Sequence, residues 1–138
     1  MKTPLDIARQ VISEEAAALE RMASSFGRDL DAILNTIIHS TDQVVISGLG
    51  KSGDIARKIA ASLTSTGTPA VFMHPVEALH GDLGIVTESH CLIALSRSGN
   101  TDELVRFVTH FLRRGGGSVI GITQGAASRL VELSRHSI

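Results

Sequence analysis

Two runs rich in glycine and hydroxyls carry the residue types that handle an anion. The first, Gly48-Leu49-Gly50-Lys51-Ser52-Gly53, follows an apolar run over residues 44–47 and has the spacing G-x-G-x-x-G. Such a turn opens a helix with its backbone N–H groups facing a negative group. The dinucleotide version of the turn needs an acidic residue at the end of the next strand to hold a ribose hydroxyl. Here that strand ends Phe72-Met73-His74-Pro75, and the nearest acid, Glu77, comes too late. A Walker loop would need glycine where Val45 stands. What remains is an anion or sugar site without a nucleotide, or a tight strand-to-helix turn whose Lys51 points into solvent.

The second run is Ser96-Arg97-Ser98-Gly99-Asn100-Thr101-Asp102-Glu103, again after an apolar strand pattern and at the start of a helical one. Three hydroxyls, free N–H groups and a glycine that permits close approach form a cradle for a phosphate monoester. The same residues also make an ordinary Ser/Thr cap followed by acids that complement the helix dipole. No G-x-S-x-G elbow surrounds Ser96 or Ser98, so neither is placed as a nucleophile.

A third loop holds His74, His80 and Asp82, but no two histidines have the i, i+4 spacing of a zinc helix and no second cluster supports a metal. His80 reads instead as a proton carrier or a contact to a sugar hydroxyl, or as a surface histidine on a short helix. Thr123-Gln124-Gly125 reads as structural.

These loops need a scaffold, and the hydrophobic pattern supplies one. Thr3 caps a helix with Pro4 at its first position and Asp6 near its positive end. Ile7, Val11, Ile12, Leu19, Met22 and Phe26 continue at helical spacing up to Gly27. Leu30, Ile33, Leu34, Ile37 and Ile38 fall at i, i+3, i+4, i+7 and i+8, the pattern of a second amphipathic helix. From residue 43 short apolar runs at 44–47, 70–73, 91–95 and 118–122 alternate with helical patterns. Runs apolar on both faces predict parallel strands between helices: four strands in an open, three-layer α/β sheet preceded by two N-terminal helices. Ligands of such sheets bind at the carboxyl ends of the strands, where all the polar loops lie. Gly115-Gly116-Gly117 joins a helix to the last of these strands and is a helix stop. Arg135-His136-Ser137-Ile138 stand where a fifth strand would begin, with no closing helix after it, so residues 1–138 read as one domain short of its last strand and helices.

Composition narrows the function classes. The chain has 138 residues and a net charge of −1, with 43% hydrophobic residues but no Trp, no Tyr and four Phe. The core is therefore aliphatic, and stacking platforms for single-stranded nucleic acid are lacking. Basic residues are spread along the chain, without the footprint of a nucleic-acid or anionic-membrane binder. No run approaches the ~18 apolar residues of a membrane span, and the first residues lack the apolar region of a signal peptide, which places the chain in the cytoplasm. The single cysteine, Cys91, reads as a small core hydrophobe in its strand.

Taken together, Gly48-Leu49-Gly50-Lys51-Ser52-Gly53, Thr66-Gly67-Thr68-Pro69, His80-Gly81-Asp82-Leu83-Gly84 and Ser96-x-Ser98-Gly99-x-Thr101 resemble the sugar isomerase (SIS) domain family over essentially the whole chain. Within that family they look most like arabinose-5-phosphate isomerases, which supply a precursor of the octulosonate sugar of bacterial lipopolysaccharide or capsule. The resemblance implies a Rossmann- or flavodoxin-like fold and interconversion of D-ribulose 5-phosphate and D-arabinose 5-phosphate through an enediol, without metal, nucleotide or other cofactor. Carried over by position, it implies that Ser96, Ser98 and Thr101 hold the phosphate with nearby amides, around Gly50, Gly99 and Asn100, and with Ser52. It implies catalytic positions at Lys51, His80 and Glu103. A carboxylate can remove the proton α to a carbonyl while Lys or His stabilises or protonates the enediolate oxygens.

Arg97 stands where relatives often have a smaller polar residue, which implies a shifted substrate preference. The family's later glutamate and histidine positions lie beyond Ile138, as does the pair of cystathionine-β-synthase-type modules many relatives carry. The alternative to an isomerase is thus a phosphosugar-binding module without catalysis, like those attached to regulators. Family analogy implies a homotetramer or dimer, with the apolar N-terminal helices as interface and His80 serving a neighbour's site.

Overall fold

A computed structural model describes residues 2–27, 29–40 and 42–138. The chain divides into two compact units, one up to Asp31 and one from Ala32 onward. The first holds α1 (Pro4–Ser25) and the start of α2 (Asp29–Ile38). The cap of α1 is reciprocal: the Asp6 N–H donates to Thr3 Oγ1 at 3.1 Å, while the Thr3 N–H and O–H donate to Asp6 Oδ2 at 3.0 and 2.7 Å. The Thr3 hydroxyl and amide hold the Asp6 carboxyl below its ordinary value.

The second unit is a parallel sheet with strand order β2-β1-β3-β4-β5. Its strands are β1 (Val44–Gly48), β2 (Ala70–Phe72), β3 (Cys91–Leu95), β4 (Val119–Ile122) and β5 (His136–Ser137), connected through α3 (Lys51–Ser65), α4 (Pro75–Leu79), a 3-10 turn at Asp82–Ile85, α5 (Asp102–Arg113) and α6 (Arg129–Leu133). Successive strand residues point to opposite faces, so each strand feeds two cores. Val45, Leu92, Ala94 and Val119 pack under Ala78, Leu104, Phe107, Val108, Phe111 and Leu130 from α4, α5 and α6. Val44, Ile46, Cys91, Ile93 and Ile120 pack on the other face under Ile33 of α2 and Ala56 and Ala60 of α3. The result is the three-layer α/β architecture that the sequence pattern predicts.

The helical spacing 104, 107, 108, 111 buries one stripe of α5 completely, with Phe107 and Phe111 meeting edge to face at 6.3 Å. Each of these rings contributes on the order of 2–3 kcal/mol by leaving water. Arg57 of α3 stacks over Phe72 at 4.0 Å and covers the β2 edge. Cys91 is 3% exposed, and burial pushes its thiol up to about 11.

The sequence pattern predicts four strands, and the structure has a fifth. His136 and Ser137 pair with Ile120 and Gly121, flanked by hydrogen bonds from the Arg135 N–H to the Val119 carbonyl at 2.8 Å and from the Ile138 N–H to the Gly121 carbonyl at 3.0 Å. This strand lies on the sheet edge and is held by backbone pairing, so it needs no apolar run. No helix among the described residues is long and apolar enough to cross a membrane.

Candidate functional site

The strand order reverses at β1: β2 lies on one side of it and β3 on the other. At such a switch point the loops leaving neighbouring strands part toward opposite faces of the sheet and leave a crevice at their carboxyl ends. In this chain the two anion-handling runs follow β1 and β3, which pair directly from Val44 with Cys91 to Gly48 with Leu95. Strand pairing therefore brings together two motifs that stand 48 residues apart, from Gly48 to Ser96.

Gly48 ends β1 so close to the first turn of α3 that a Cβ there would lie 2.8 Å from the Ser52 carbonyl oxygen, and Gly50 takes a positive φ of 55° just before the helix. Helix α3 then begins at Lys51 with no side chain capping its free N–H groups, leaving its positive end open toward the crevice. Beneath this turn the buried Ser47 hydroxyl donates to the Met73 carbonyl at 2.7 Å, tying the end of β1 to the end of β2.

The loop after β3 is built around Ser96. Its buried hydroxyl accepts from the Gly99 N–H at 3.1 Å and lies 2.9 Å from the Thr101 hydroxyl. Thr101 is the N-cap residue of α5 yet does not cap it by its side chain, since that hydroxyl is turned to Ser96. Ser98 is exposed and its oxygen accepts from the Asn100 N–H at 3.2 Å, leaving its own proton free to donate. The Asn100 side chain bridges away from the crevice, with Nδ2 donating to the Ser98 carbonyl and Oδ1 accepting from the Arg129 N–H at the start of α6.

The crevice consists of two adjoining cavities of about 540 and 470 Å³ that share Ser52, Arg97 and Gln124. Ser98, Thr101 and Gly125 complete the first, a lobe of hydroxyls and one guanidinium. Lys51, Ser96 and apolar Ile55, Leu95, Ile122 and Ile138 are among those that complete the second. A compact anion suits the first lobe, and a short chain with hydroxyls and apolar CH faces suits the second. A cavity of about 560 Å³ at the opposite, amino-terminal end of the strands, around His39, His90 and His136, lies away from both loops.

Of the residues singled out by sequence, Lys51, Ser52, Ser96, Ser98 and Thr101 line this crevice. Gly50 and Gly99 shape its loops by their positive φ values, and Asn100 braces the β3 loop against α6. His80 is exposed at the end of α4 and Glu103 is exposed in the first turn of α5; neither lines the two lobes. Thr123-Gln124-Gly125, read from sequence as structural, forms a wall of the site: Gln124 lines both lobes, Gly125 the first and Thr123 the second. Its position after β4, at the carboxyl edge of the sheet, was the signal available in the sequence.

Comparison with known proteins finds relatives in both sequence and fold. Arabinose 5-phosphate isomerase KpsF of Escherichia coli O6:H1 is 42% identical over 125 residues, covering 90% of this chain and 38% of the relative. Arabinose 5-phosphate isomerase GutQ of Escherichia coli K12 is 46% identical over 100 residues, 72% of this chain and 31% of that protein. The chain thus spans less than two fifths of the length of these relatives. Among solved structures, the E. coli CFT073 protein c3406 in complex with arabinose 5-phosphate superposes with a TM-score of 0.88 at 32% identity, over 99% of this chain and 74% of that one. Residues 37–138, most of the sequence, match the SIS domain family, and so the chain belongs to the SIS domain family.

Proposed function

We propose that this chain carries the phosphosugar site of an aldose–ketose isomerase that interconverts D-ribulose 5-phosphate and D-arabinose 5-phosphate. The observation that supports this most is the joining of the Ser98–Thr101 hydroxyl lobe to the Lys51 lobe at the switch point of the sheet. The phosphate occupies the first lobe, where Ser98, Thr101 and Ser52 donate their hydroxyl protons and the open ends of α3 and α5 add backbone N–H groups. The sugar chain extends into the second lobe beside Lys51. Relatives named as arabinose 5-phosphate isomerases give the choice of pentose.

The reaction moves hydrogen only. A base takes the proton from the carbon beside the carbonyl, the electron pair forms the enediol double bond, and the proton returns to the neighbouring carbon while the hydroxyl and carbonyl oxygens exchange a proton. We assign the base to Glu103, whose carboxylate has no hydrogen bond or ion pair among the described residues, unlike its neighbour Asp102, which pairs with Arg129 at 2.7 Å. Lys51 stabilises the developing oxyanion. His80, exposed at the end of α4, serves the crevice of a second copy in a homo-oligomer, a dimer or tetramer working on sugar phosphates of the cytoplasm.

The second reading, a phosphosugar-binding module without turnover, draws on the placement of His80 and Glu103 outside the two lobes. NMR-monitored incubation with ribulose 5-phosphate in heavy water separates the readings. Arabinose 5-phosphate carrying deuterium at C2, absent with Glu103→Gln, supports the isomerase. Ligand-dependent line broadening without conversion, lost in Ser98→Ala, supports the binding module.

A further inference from the structure

We propose that Arg97, oriented by Gln124, is the charged contact for the phosphate in this crevice and sets its preference for the dianion; the inference rests on the phosphosugar reading above. Among the described residues, Arg97 is the one charged side chain lining the hydroxyl lobe. Arg129, close by in the α5–α6 corner, is held by Asp102 at 2.7 Å, and Lys51 lines the second lobe instead. A cradle of neutral hydroxyls and amides leaves a double negative charge without a compensating cation, and the Arg97 guanidinium supplies it.

The geometry orients that guanidinium. Its Nε donates to Gln124 Oε1 at 3.3 Å, leaving both Nη groups without a hydrogen bond among the described residues. A planar fork of free N–H donors matches phosphate oxygens, and fixing its Nε end beforehand lowers the ordering cost of binding. Arg97 and Gln124 also border both lobes, so the fork stands where the phosphate gives way to the sugar chain. The backbone clamp is separate from the side chain: the Arg97 carbonyl accepts from the Gln124 N–H at 3.2 Å and from the Thr123 hydroxyl at 3.3 Å. Truncation of the side chain therefore tests the charge and leaves the loop in place.

The test titrates the wild type, Arg97→Ala, Arg97→Lys, Gln124→Ala, the Arg97→Ala/Gln124→Ala double variant and Ser98→Ala with D-arabinose 5-phosphate and inorganic phosphate by calorimetry between pH 5 and 8. The second proton of a phosphate monoester leaves near pH ~6. With arabinose 5-phosphate the wild type should bind more tightly as pH rises through that value, and with inorganic phosphate the rise should come at higher pH. Arg97→Ala should bind about ten- to a hundredfold more weakly at neutral pH, with a flatter pH profile, weaker salt dependence and an unchanged melting temperature. Arg97→Lys should recover part of the loss, because it restores the charge without the fork. Gln124→Ala should lose less than Arg97→Ala and add nothing in the double variant, which marks an effect exerted through Arg97. Wild-type affinity in Arg97→Ala, alongside weakened binding in Ser98→Ala, overturns the role of Arg97 while the phosphosugar reading stands. Failure of the wild type to bind either probe overturns both.

Discussion

The hydroxyls of Ser96 and Thr101 lie 2.9 Å apart, joining the end of β3 to the N-cap of α5 beneath the proposed phosphate lobe. The Ser96 oxygen also accepts from the Gly99 N–H, so one buried atom holds both ends of the loop. Ser96→Ala should leave the Thr101 hydroxyl short of a partner and the Gly99 N–H with only the Ser96 carbonyl, to which it also donates at 3.2 Å, and lower stability by about 1–2 kcal/mol. Ser98→Ala, at an exposed position, should change stability by less than about 0.5 kcal/mol yet weaken binding of arabinose 5-phosphate. Urea unfolding beside ligand titration checks the contrast; equal destabilisation by the two variants would contradict the distinction between frame and contact.

Gly99 has a φ of +67° and its Cα faces Ser128, whose Cβ would sit 2.5 Å from a Cβ added at position 99, with Thr123 Oγ1 at 2.9 Å. Gly99→Ala combines left-handed strain with overpacking and should cost about 2–4 kcal/mol, read as a lower urea midpoint with an unchanged slope. Ser128 is 2% exposed and its hydroxyl has no hydrogen-bond partner among the described residues. Ser128→Ala removes an unpaired buried polar atom, so it should leave stability unchanged or raise it by up to about 1 kcal/mol. A loss of that size instead would mean the hydroxyl has a partner in solution.

Burial holds the Cys91 thiol protonated up to about 11, against an ordinary value of 9.0. The raised group favours the folded chain through its neutral form. Its stabilisation is fully present below pH 9, because folded and unfolded chains are then both protonated. Between 9 and about 11 the unfolded chain ionises first, and stability falls by at most about 1.4 kcal/mol per pH unit. Urea unfolding at pH 8 and pH 10 should show a larger drop for the wild type than for Cys91→Ala. A thiol reagent at pH 8 should modify the wild type only as fast as the sheet opens.

Glu103 is exposed in the first turn of α5 and its carboxylate has no partner among the described residues, so Glu103→Gln should cost no more than the about 0.3–1 kcal/mol of its charge at the helix N-terminus. If it is the proton-transferring carboxylate, turnover should fall by about 10²–10⁴, with arabinose 5-phosphate affinity kept. Near-normal turnover would remove Glu103 from the reaction and point to another base.

Some of this protein is written in short stretches of sequence. The Thr3–Asp6 cap, the two-faced apolar runs of β1 and β3 and the hydroxyl- and glycine-rich loops are local matters of period, capping and backbone freedom, and they are legible residue by residue. Strand order was not, because a parallel ladder forms between segments far apart in the chain and its partner is chosen by packing of the whole sheet. Only the pairing of β1 with β3 brings Ser52 to Ser98, and only the pairing of β3 with β4 makes Gln124 and Gly125 a wall of the site. The same long-range contacts turned Asn100 toward α6 and made an edge strand from His136 and Ser137, whose side chains carry no strand pattern. Local chemistry determined which residues could hold an anion; the sheet's hydrogen-bond register decided which of them meet.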